Sequence, residues 1–533
     1  APRTEEEQTL SQLWSQVLGQ ESISIHDNFF ELGGDSILCI QMVGRATQLG
    51  LRFTPKQLFD HPTIAGLAMV VETTVEITAE QGLVTGAVPF TPIQQWFFAQ
   101  QNPDLHHWNQ ATFLQSEQPL VIEHLETSLD TVLTHHDGLR ARYTLTSEGW
   151  QQEIGAAFSR PILSVVELSD LPPAKHGPAL SAHASQVQAS LDITKGPLIR
   201  VVLFKLGPQY PEYLLLVCHH LIIDGVSWRI FLVDLLRIYQ QLQQGQPIHL
   251  PPKTTSFQTW ATRLQDYAQS SALRQELGYW LDPLPSPPLP QDFDRVDTDL
   301  SYQCTQACSL SAELTQALLN KAPATYQTQI NDLLLTALVL TIGQWTGRYH
   351  LRLDLEGHGR QDVFSDLDVS RTIGWFTTLY PITFSLSTPD DLGASIQEVT
   401  AALRRLPQQG LGFGLLRYLC ADARIHRQLQ ALPPTQVRFN YLGQTDSLLS
   451  ETDILTPAPF PPGSGHAASS QRMYLLDISG IIQSGQLLLQ WRYSDQLYRS
   501  YTVERLAQNY LQQLETLILH CQLPNATLDL LTT

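Results

Sequence analysis

Two histidines and an aspartate at the end of an apolar run are the first residues that could do chemistry. His219 and His220 follow the run YLLLVC at 213–218, and Asp224 and Gly225 come shortly after them. Successive side chains of a strand point to opposite faces, so only one of the two histidines can face a given cavity. That histidine could return a proton or, once protonated, stabilise negative charge. The alternative is a buried histidine with a backbone partner, followed by a turn aspartate.

A carboxylate and a tyrosine follow in two later segments. Glu356 lies among glycines in EGHGR, directly after the strand-like run HLRLDL. A carboxylate in that position can approach a substrate closely, and partial burial would raise its pKa toward the working range. Tyr441, beside Asn440 in VRFNYLG, could donate a proton or stabilise an oxyanion. The structural alternatives are an ion pair between Glu356 and Arg360, and a tyrosine that only packs in the core.

Ser36 is the candidate for a modified side chain. It follows two glycines and an aspartate in DNFFELGGDSI and comes directly before a predicted helix. A helix N-terminus offers free N–H groups and the positive end of the helix dipole, both of which favour a phosphate. The glycines leave the hydroxyl accessible to a modifying enzyme. Helix capping by the serine is the alternative interpretation.

Periodicity divides the chain into a small helical unit and a larger mixed one. Apolar residues at helical spacing predict an all-helical bundle over 1–74, and 75–88 read as a linker. From 89 to 533 strands alternate with helices. A proline-rich stretch at 281–294 suggests a crossing between two lobes, which we place at about 89–265 and 266–533.

Composition excludes several classes of protein. The formal net charge of −19 gives no basic surface for nucleic acid or an anionic membrane. No apolar run reaches membrane-spanning length, and the polar start predicts no signal peptide. The six cysteines are scattered without zinc-type spacing, so we predict no metal site and a reducing, cytoplasmic location.

The helical unit resembles a known family. The segments HDNFFELGGDSI and LFDHPTIAGLA, in that order, are similar to the peptidyl carrier (thiolation) domains of nonribosomal peptide synthetases. The resemblance covers residues 5–74 and implies a four-helix bundle. It also implies that Ser36 carries a covalent 4′-phosphopantetheine, attached by a phosphopantetheinyl transferase.

The HHxxxDG segment resembles the core motif of the condensation-domain superfamily, whose two-lobed α/β fold is similar to chloramphenicol acetyltransferase. The resemblance implies that His220 points into a tunnel between the lobes. It implies that Asp224 is structural and is held by an arginine, for which Arg142 and Arg360 are candidates. A second HHDG, at 135–138, resembles a structural motif of the same family.

Four further segments resemble epimerization-domain motifs in family order, namely EGHGR, GWFT, PQQGLGFG and VRFNYLG. The DFGWG segment common in condensation domains is absent. The resemblance implies epimerization at Cα of an aminoacyl or peptidyl thioester held on the carrier. Amide formation and a non-catalytic docking module are the alternatives. Expected partners are an upstream adenylation domain and a downstream condensation domain.

This chemistry assigns roles to the candidates above. Removing an α-proton needs a base and a stabilised oxyanion, and inversion needs a proton returned on the opposite face. We therefore predict that His220, Glu356 and Tyr441 are catalytic. The predicted supporting residues are His219, Asp224, Gly225, Arg360 and Asn440. The identity of the amino acid is not encoded in these motifs.

Overall fold

The computed structural model of the chain describes residues 2–20, 22–34, 36–72, 79–100, 102–156, 161–281, 287–295, 299–320, 322–326, 328–444 and 454–523. Within those ranges the chain forms a helical carrier unit and a two-lobed α/β unit, as the sequence predicts. Residues 75–78 of the predicted linker lie outside the described residues. No described helix combines the length and the apolar character needed to cross a membrane.

The carrier unit is a bundle of four helices, α1 (Glu5–Leu18), α2 (Ser36–Gln48), α3 (Pro55–Asp60) and α4 (Ile64–Leu67). Thr4 and Thr54 cap α1 and α3 by accepting hydrogen bonds from backbone N–H groups of the first turn. Trp14 and Phe29 are fully buried and pack edge to face in the bundle core, with ring centroids 5.0 Å apart. The bundle therefore has a hydrophobic core of its own.

The N-lobe contains a three-stranded and a five-stranded sheet. Its strands and helices are β1 (Gly86–Val88), α5 (Pro92–Ala99), β2 (Asn109–Ser116), α6 (Ile122–His135), β3 (Ala141–Thr146), β4 (Gly149–Ile154), β5 (Leu163–Glu167), α7 (His176–Gln188), β6 (Ile199–Lys205), β7 (Glu212–His219) and α8 (Gly225–Gln243). The smaller sheet has the order β1-β4-β3, and the larger one contains the run β2-β7-β6-β5. The strand β7 is buried along most of its length, which explains its uninterrupted apolar run.

The C-lobe is built on one six-stranded sheet. Its strands and helices are α9 (Phe257–Tyr267), α10 (Ser271–Arg274), α11 (Leu277–Trp280), β8 (Gln303–Ser309), α12 (Ala312–Asn320), α13 (Ala322–Tyr326), α14 (Ile330–Thr346), β9 (His350–Gly357), β10 (Thr378–Ser385), α15 (Leu392–Arg404), α16 (Leu411–Gly414), α17 (Ala423–Gln430), β11 (Val437–Gln444), β12 (Thr456–Pro457), β13 (Leu476–Gln483), β14 (Gln486–Ser494) and α18 (Ser500–Cys521). The strand order is β10-β9-β11-β13-β14-β8. The helices α14 and α18 pack against each other and share one hydrophobic core with the sheet.

The structure differs from the predicted boundaries in three places. The end of the predicted linker forms β1, which pairs with β4. The predicted lobe boundary at 265 falls inside α9, whose Phe257 and Trp260 pack in the C-lobe core. The strand β12 leaves the C-lobe and pairs with β2 at the edge of the larger N-lobe sheet. The two residues of β12 are exposed, but the preceding Leu455 is buried in the N-lobe cluster, a long-range contact that periodicity does not encode.

Candidate active site

A cavity of about 1050 Å³ lies between the two lobes. The N-lobe contributes His220 and Gln110 to its wall, and the C-lobe contributes Glu356, Arg438 and Asn440. Two of the three predicted catalytic residues, one from each lobe, therefore face the same space.

His220 begins the short turn that follows β7. Its Nδ1 lies 2.8 Å from the Ile223 carbonyl, and its Nε2 lies 2.9 Å from Nε2 of Gln110. A carbonyl only accepts, so Nδ1 carries the proton and the lone pair of Nε2 accepts from Gln110. The ring stacks on Trp375 at 4.2 Å, and burial lowers the pKa of His220 to about 4. At neutral pH this imidazole is an uncharged base.

His219 has the opposite orientation and a structural role. Its side chain is fully buried, and Nε2 lies 2.9 Å from the Leu105 carbonyl. Burial lowers its pKa to about 3. The alternation of a strand thus separates the two neighbouring histidines, one toward the cavity and one into the core.

Asp224 anchors the loop that carries Trp375. Its two oxygens accept from the backbone N–H groups of Ser227 and Phe376, at 2.7 and 2.9 Å. Arg360, one of the two arginines left open by the motif, approaches Asp224 at 3.4 Å. The aspartate therefore caps α8 at Gly225 and ties this helix to the GWFT loop.

Arg360 reaches Asp224 because the EGHGR turn lies against the GWFT loop. Its guanidinium stacks on Phe376 at 3.9 Å from the ring centroid. At Gly359, φ is +72°, and a Cβ there would lie 1.6 Å from the Phe376 carbonyl oxygen. Only glycine fits this position, for conformational and for steric reasons.

Glu356 lies at the end of β9, and its side chain has two partners from β11. Arg438 donates to Oε1 at 2.8 Å, and Asn440 donates to Oε2 at 2.5 Å. Burial raises the pKa of Glu356, while the Arg438 cation acts in the opposite direction. The predicted alternative pairing with Arg360 is wrong, because that arginine is bonded to Asp224.

Arg438 connects Glu356 to a second carboxylate, Asp477 on β13. It donates to both oxygens of Asp477, from Nε at 2.9 Å and from Nη2 at 2.5 Å. The two residues are paired across neighbouring parallel strands. Burial opposes ionisation of Asp477, but the guanidinium outweighs it and lowers the pKa of that carboxyl. The C-lobe wall is thus a fixed network of charges.

Tyr441, the third residue predicted to be catalytic, is not among the residues that line the cavity. Arg438 and Asn440 share the cavity face of β11, and Tyr441, one residue further, packs against the C-lobe core. Strand alternation is the physical reason. Asn440, predicted only as a support, is the residue of this motif that contacts Glu356.

Sequence reasoning missed Arg438, Asp477, Gln110 and Trp375 as parts of the site. Arg438 could have been found from VRFNYLG, because alternate side chains of a strand share a face and Arg438 lies two residues before Asn440. Trp375 lies within the GWFT motif, but the motif alone predicted no role for it. No local signal marks Asp477 or Gln110, since each reaches the cavity through sheet pairing.

The carrier unit contacts both lobes of the larger unit. The Gly33 carbonyl accepts a hydrogen bond from Gln444, the last residue of β11, at 2.7 Å. Ile40 on α2 packs within the hydrophobic core cluster of the N-lobe, and Arg52 donates to the Ser365 carbonyl at 2.6 Å. Ser36 begins a helix of 13 residues at this interface. The N-terminus of a helix is a favourable place for a phosphate group.

Comparison with known proteins agrees with this arrangement. Residues 8–71 match the family described as phosphopantetheine attachment site, and residues 84–533 match the condensation domain family. The N-terminal unit is accordingly a domain that carries covalent 4′-phosphopantetheine.

The curated relatives are large peptide synthases. The chain is 45% identical over 532 residues to one of the linear gramicidin synthase proteins of Brevibacillus parabrevis, covering 98% of the chain and 7% of that protein. It is 42% identical over 528 residues to the chondramide synthase of Chondromyces crocatus, covering 98% of the chain and 13% of that protein. The chain therefore spans only a small part of the length of these relatives.

Among solved structures, the epimerization domain from the third module of tyrocidine synthetase B matches with a TM-score of 0.78 and 36% identity. The match covers 83% of this chain and 98% of that one. The chain thus belongs to the condensation-domain family of nonribosomal peptide synthetases, and within it a phosphopantetheine attachment domain precedes the condensation-type domain.

Proposed function

We propose that the chain inverts the Cα configuration of a residue held as a thioester on its own carrier unit, through Ser36. The observation that carries this proposal is the pairing of an uncharged His220 from one lobe with Glu356 from the other, on the walls of one cavity. When attached, the 4′-phosphopantetheine supplies a thioester, which acidifies the α-proton more than an amide would.

Inversion uses these two side chains as a proton-transfer pair. One takes the α-proton, and the electron pair of the C–H bond delocalises onto the thioester carbonyl oxygen. The other returns a proton to the opposite face of the same carbon. Glu356 takes a proton when ionised and gives one when neutral. Nε2 of His220 takes a proton when uncharged and gives one when protonated, so inversion requires the pair to hold one proton between them. Because His220 and Glu356 belong to different lobes, they can approach the two opposite faces of the reacting carbon.

Asn440 and Arg438 are the proposed partners of the developing negative charge. Both donate hydrogen bonds to Glu356, so they lie beside the position that the reacting carbon takes when it is within reach of this carboxylate. Fixed donors beside a developing oxyanion lower the barrier because they need no reorganisation. These residues take over the role predicted for Tyr441.

Amide formation would use the same cavity and His220, and it is the rival function. It does not call for a buried carboxylate with a raised pKa opposite the histidine. Glu356 and its partners therefore favour epimerization.

The proposed setting follows from the carrier unit. An upstream adenylation domain would supply the activated residue, a phosphopantetheinyl transferase would modify Ser36, and a downstream condensation domain would take the product. The six cysteines are free thiols, which suits a reducing cytoplasm.

The test loads the holo chain with an L-residue thioester in deuterated buffer and analyses the released residue. A mixture of L and D forms with deuterium at Cα is expected. Retention of the L form without deuterium would contradict epimerization.

A further inference from the structure

His466 is a histidine of the cavity wall that the proposed mechanism does not use. It lies in the segment 462–474, through which the chain returns from the edge of the N-lobe sheet to β13 of the C-lobe. The backbone N–H of Asn109 donates to the Gly465 carbonyl at 2.7 Å, and a Cβ on Gly465 would lie 2.5 Å from the Asn109 carbonyl oxygen. This close backbone contact fixes the position from which the histidine side chain enters the cavity.

The imidazole of His466 has no hydrogen-bond partner among the described residues. Its ring packs edge to face against Trp108, with the ring centroids 4.3 Å apart. The structural histidines of the protein differ in this respect, because His219 and His136 are held by a backbone carbonyl and a carboxylate, respectively. An imidazole with two uncommitted nitrogens can accept a proton at one of them and release a proton from the other.

The surroundings of His466 keep its imidazole uncharged. Burial lowers the pKa of His466 to about 3, and the neighbouring His220 and Arg438 act in the same direction. Asp477 also faces the ring, but that carboxylate is already paired with Arg438. The resting ring therefore carries one N–H and one lone pair, which are the two groups that a proton relay needs.

His466 also lies where the cavity meets the surface of the protein. Ser464 and Ala468, two residues before and after it, are exposed and line the cavity. His107 lines the same cavity, and its Nε2 lies 2.8 Å from the Ser464 carbonyl. The segment 462–474 thus places an uncharged imidazole between solvent and the part of the cavity that contains His220.

The proposed inversion creates a need for such a group. After one inversion, one member of the pair His220 and Glu356 holds the former α-proton, and the other has given its proton to the carbon. The pair can accept another L-residue only when the first member has released its proton and the second has gained one. His220 has only Nε2 for this exchange, because its Nδ1 is bonded to the Ile223 carbonyl.

We infer that His466 relays protons between solvent and the pair formed by His220 and Glu356. In each transfer one ring nitrogen takes a proton while the other releases one, so the imidazole is uncharged before and after. Water gives or takes the proton at the outer end and is the only other reactant. This inference rests on the proposed epimerization and adds the step that restores its starting state.

The experiment follows a deuterium label on the full chain in ordinary water. The carrier is loaded from coenzyme A thioesters with an L-leucyl or a glycyl-L-leucyl group that carries deuterium at Cα of leucine. When the ratio of L to D forms has become constant, the deuterium in the recovered L-leucine is measured. In the unsubstituted chain the pair exchanges with solvent between inversions, so we expect the label to be lost from both forms.

His466→Phe keeps a ring against Trp108 but cannot carry a proton. Without the relay, the deuteron taken from the L-residue stays on the pair and returns to the same face of the carbon in the reverse reaction. We therefore expect the recovered L-leucine to retain about tenfold more deuterium than in the unsubstituted chain. Added imidazole should remove this excess. A structural defect that only slows inversion would not leave the label in place once the ratio is constant.

His249→Phe is the matched control, because His249 is exposed and is not among the described residues of the cavity wall. This variant should lose the label as the unsubstituted chain does. Equal loss of label in His466→Phe would overturn the inference. Loss of inversion in both His466→Phe and His466→Gln would also overturn it, because a first inversion needs no relay. Absence of inversion from the unsubstituted chain would instead refute the proposed function.

Discussion

Asn440 and Tyr441 are neighbours on β11, but their side chains serve opposite faces of the strand. Asn440 donates a hydrogen bond to Glu356 at the cavity wall, whereas Tyr441 packs against the C-lobe core. The strand lies inside the six-stranded sheet, so one face meets the cavity and the other meets packed apolar side chains. Two adjacent residues thus differ in role, because Asn440 belongs to the site and Tyr441 packs against the core.

The first prediction compares these two neighbours. We expect Tyr441→Phe to keep the α-proton exchange rate within about threefold, because the tyrosine does not line the cavity. We expect Asn440→Ala to lower it about 100-fold, the usual effect of losing one fixed donor at a developing oxyanion. Deuterium exchange on identically loaded carriers measures both. Equal losses in the two variants would contradict the assignment of faces.

Glu356→Gln should lower the exchange rate by about 10²- to 10⁴-fold, the range attributed to a general acid or base. Glutamine keeps the size of the side chain but cannot take the α-proton. Glu313→Gln, at an exposed position on α12, serves as the control and should leave the rate unchanged. A Glu356→Gln variant that retained most of the activity would remove this residue from the mechanism.

The acid side of the pH–rate profile should report Glu356. Burial raises its pKa above the ordinary carboxylate value, whereas His220 titrates at about 4. Removal of the α-proton by Glu356 needs its ionised form. The exchange rate should therefore be highest above the raised pKa of Glu356 and should fall as the pH drops through that pKa.

Arg438→Gln should move that acid limb to higher pH. The Arg438 cation holds the pKa of Glu356 down, so removing it lets burial and Asp477 raise the pKa further. Arg438→Lys keeps the charge and should give a smaller shift. An acid limb that stays in place, or moves to lower pH, in the glutamine variant would contradict this electrostatic coupling.

Docking of the carrier should depend on Ile40. This side chain is buried in the N-lobe cluster and is not part of the carrier core. Ile40→Asp places a charge in that contact, so exchange on the attached carrier should fall at least tenfold. Exchange of a soluble aminoacyl- or peptidyl-pantetheine thioester should be unchanged.

Leu49→Asp is the matched control for the docking variant, because Leu49 is 58% exposed just after the end of α2. Both variants should still be modified by a phosphopantetheinyl transferase, which verifies that the carrier is folded. Equal exchange on the attached carrier in Ile40→Asp and in the unsubstituted chain would contradict the docking contact.

Local patterns in the sequence anticipated the fold class and part of the site. Helical spacing predicted the carrier bundle, and the run before His219 predicted a buried strand that separates the two histidines. These features depend on neighbours in the chain, because capping and strand alternation act over a few residues.

The tertiary structure decided which groups meet. Glu356 and Arg438 are far apart in sequence, and they pair because β9 and β11 are adjacent parallel strands. Long-range packing likewise assigned Arg360 to Asp224 and placed Asp477 beside Arg438. The sequence by itself determined the residue types, the strand faces and the helix starts of this protein. The ionic network, the exchange of β12 between lobes and the position of the carrier depend on long-range packing, which no local periodicity encodes.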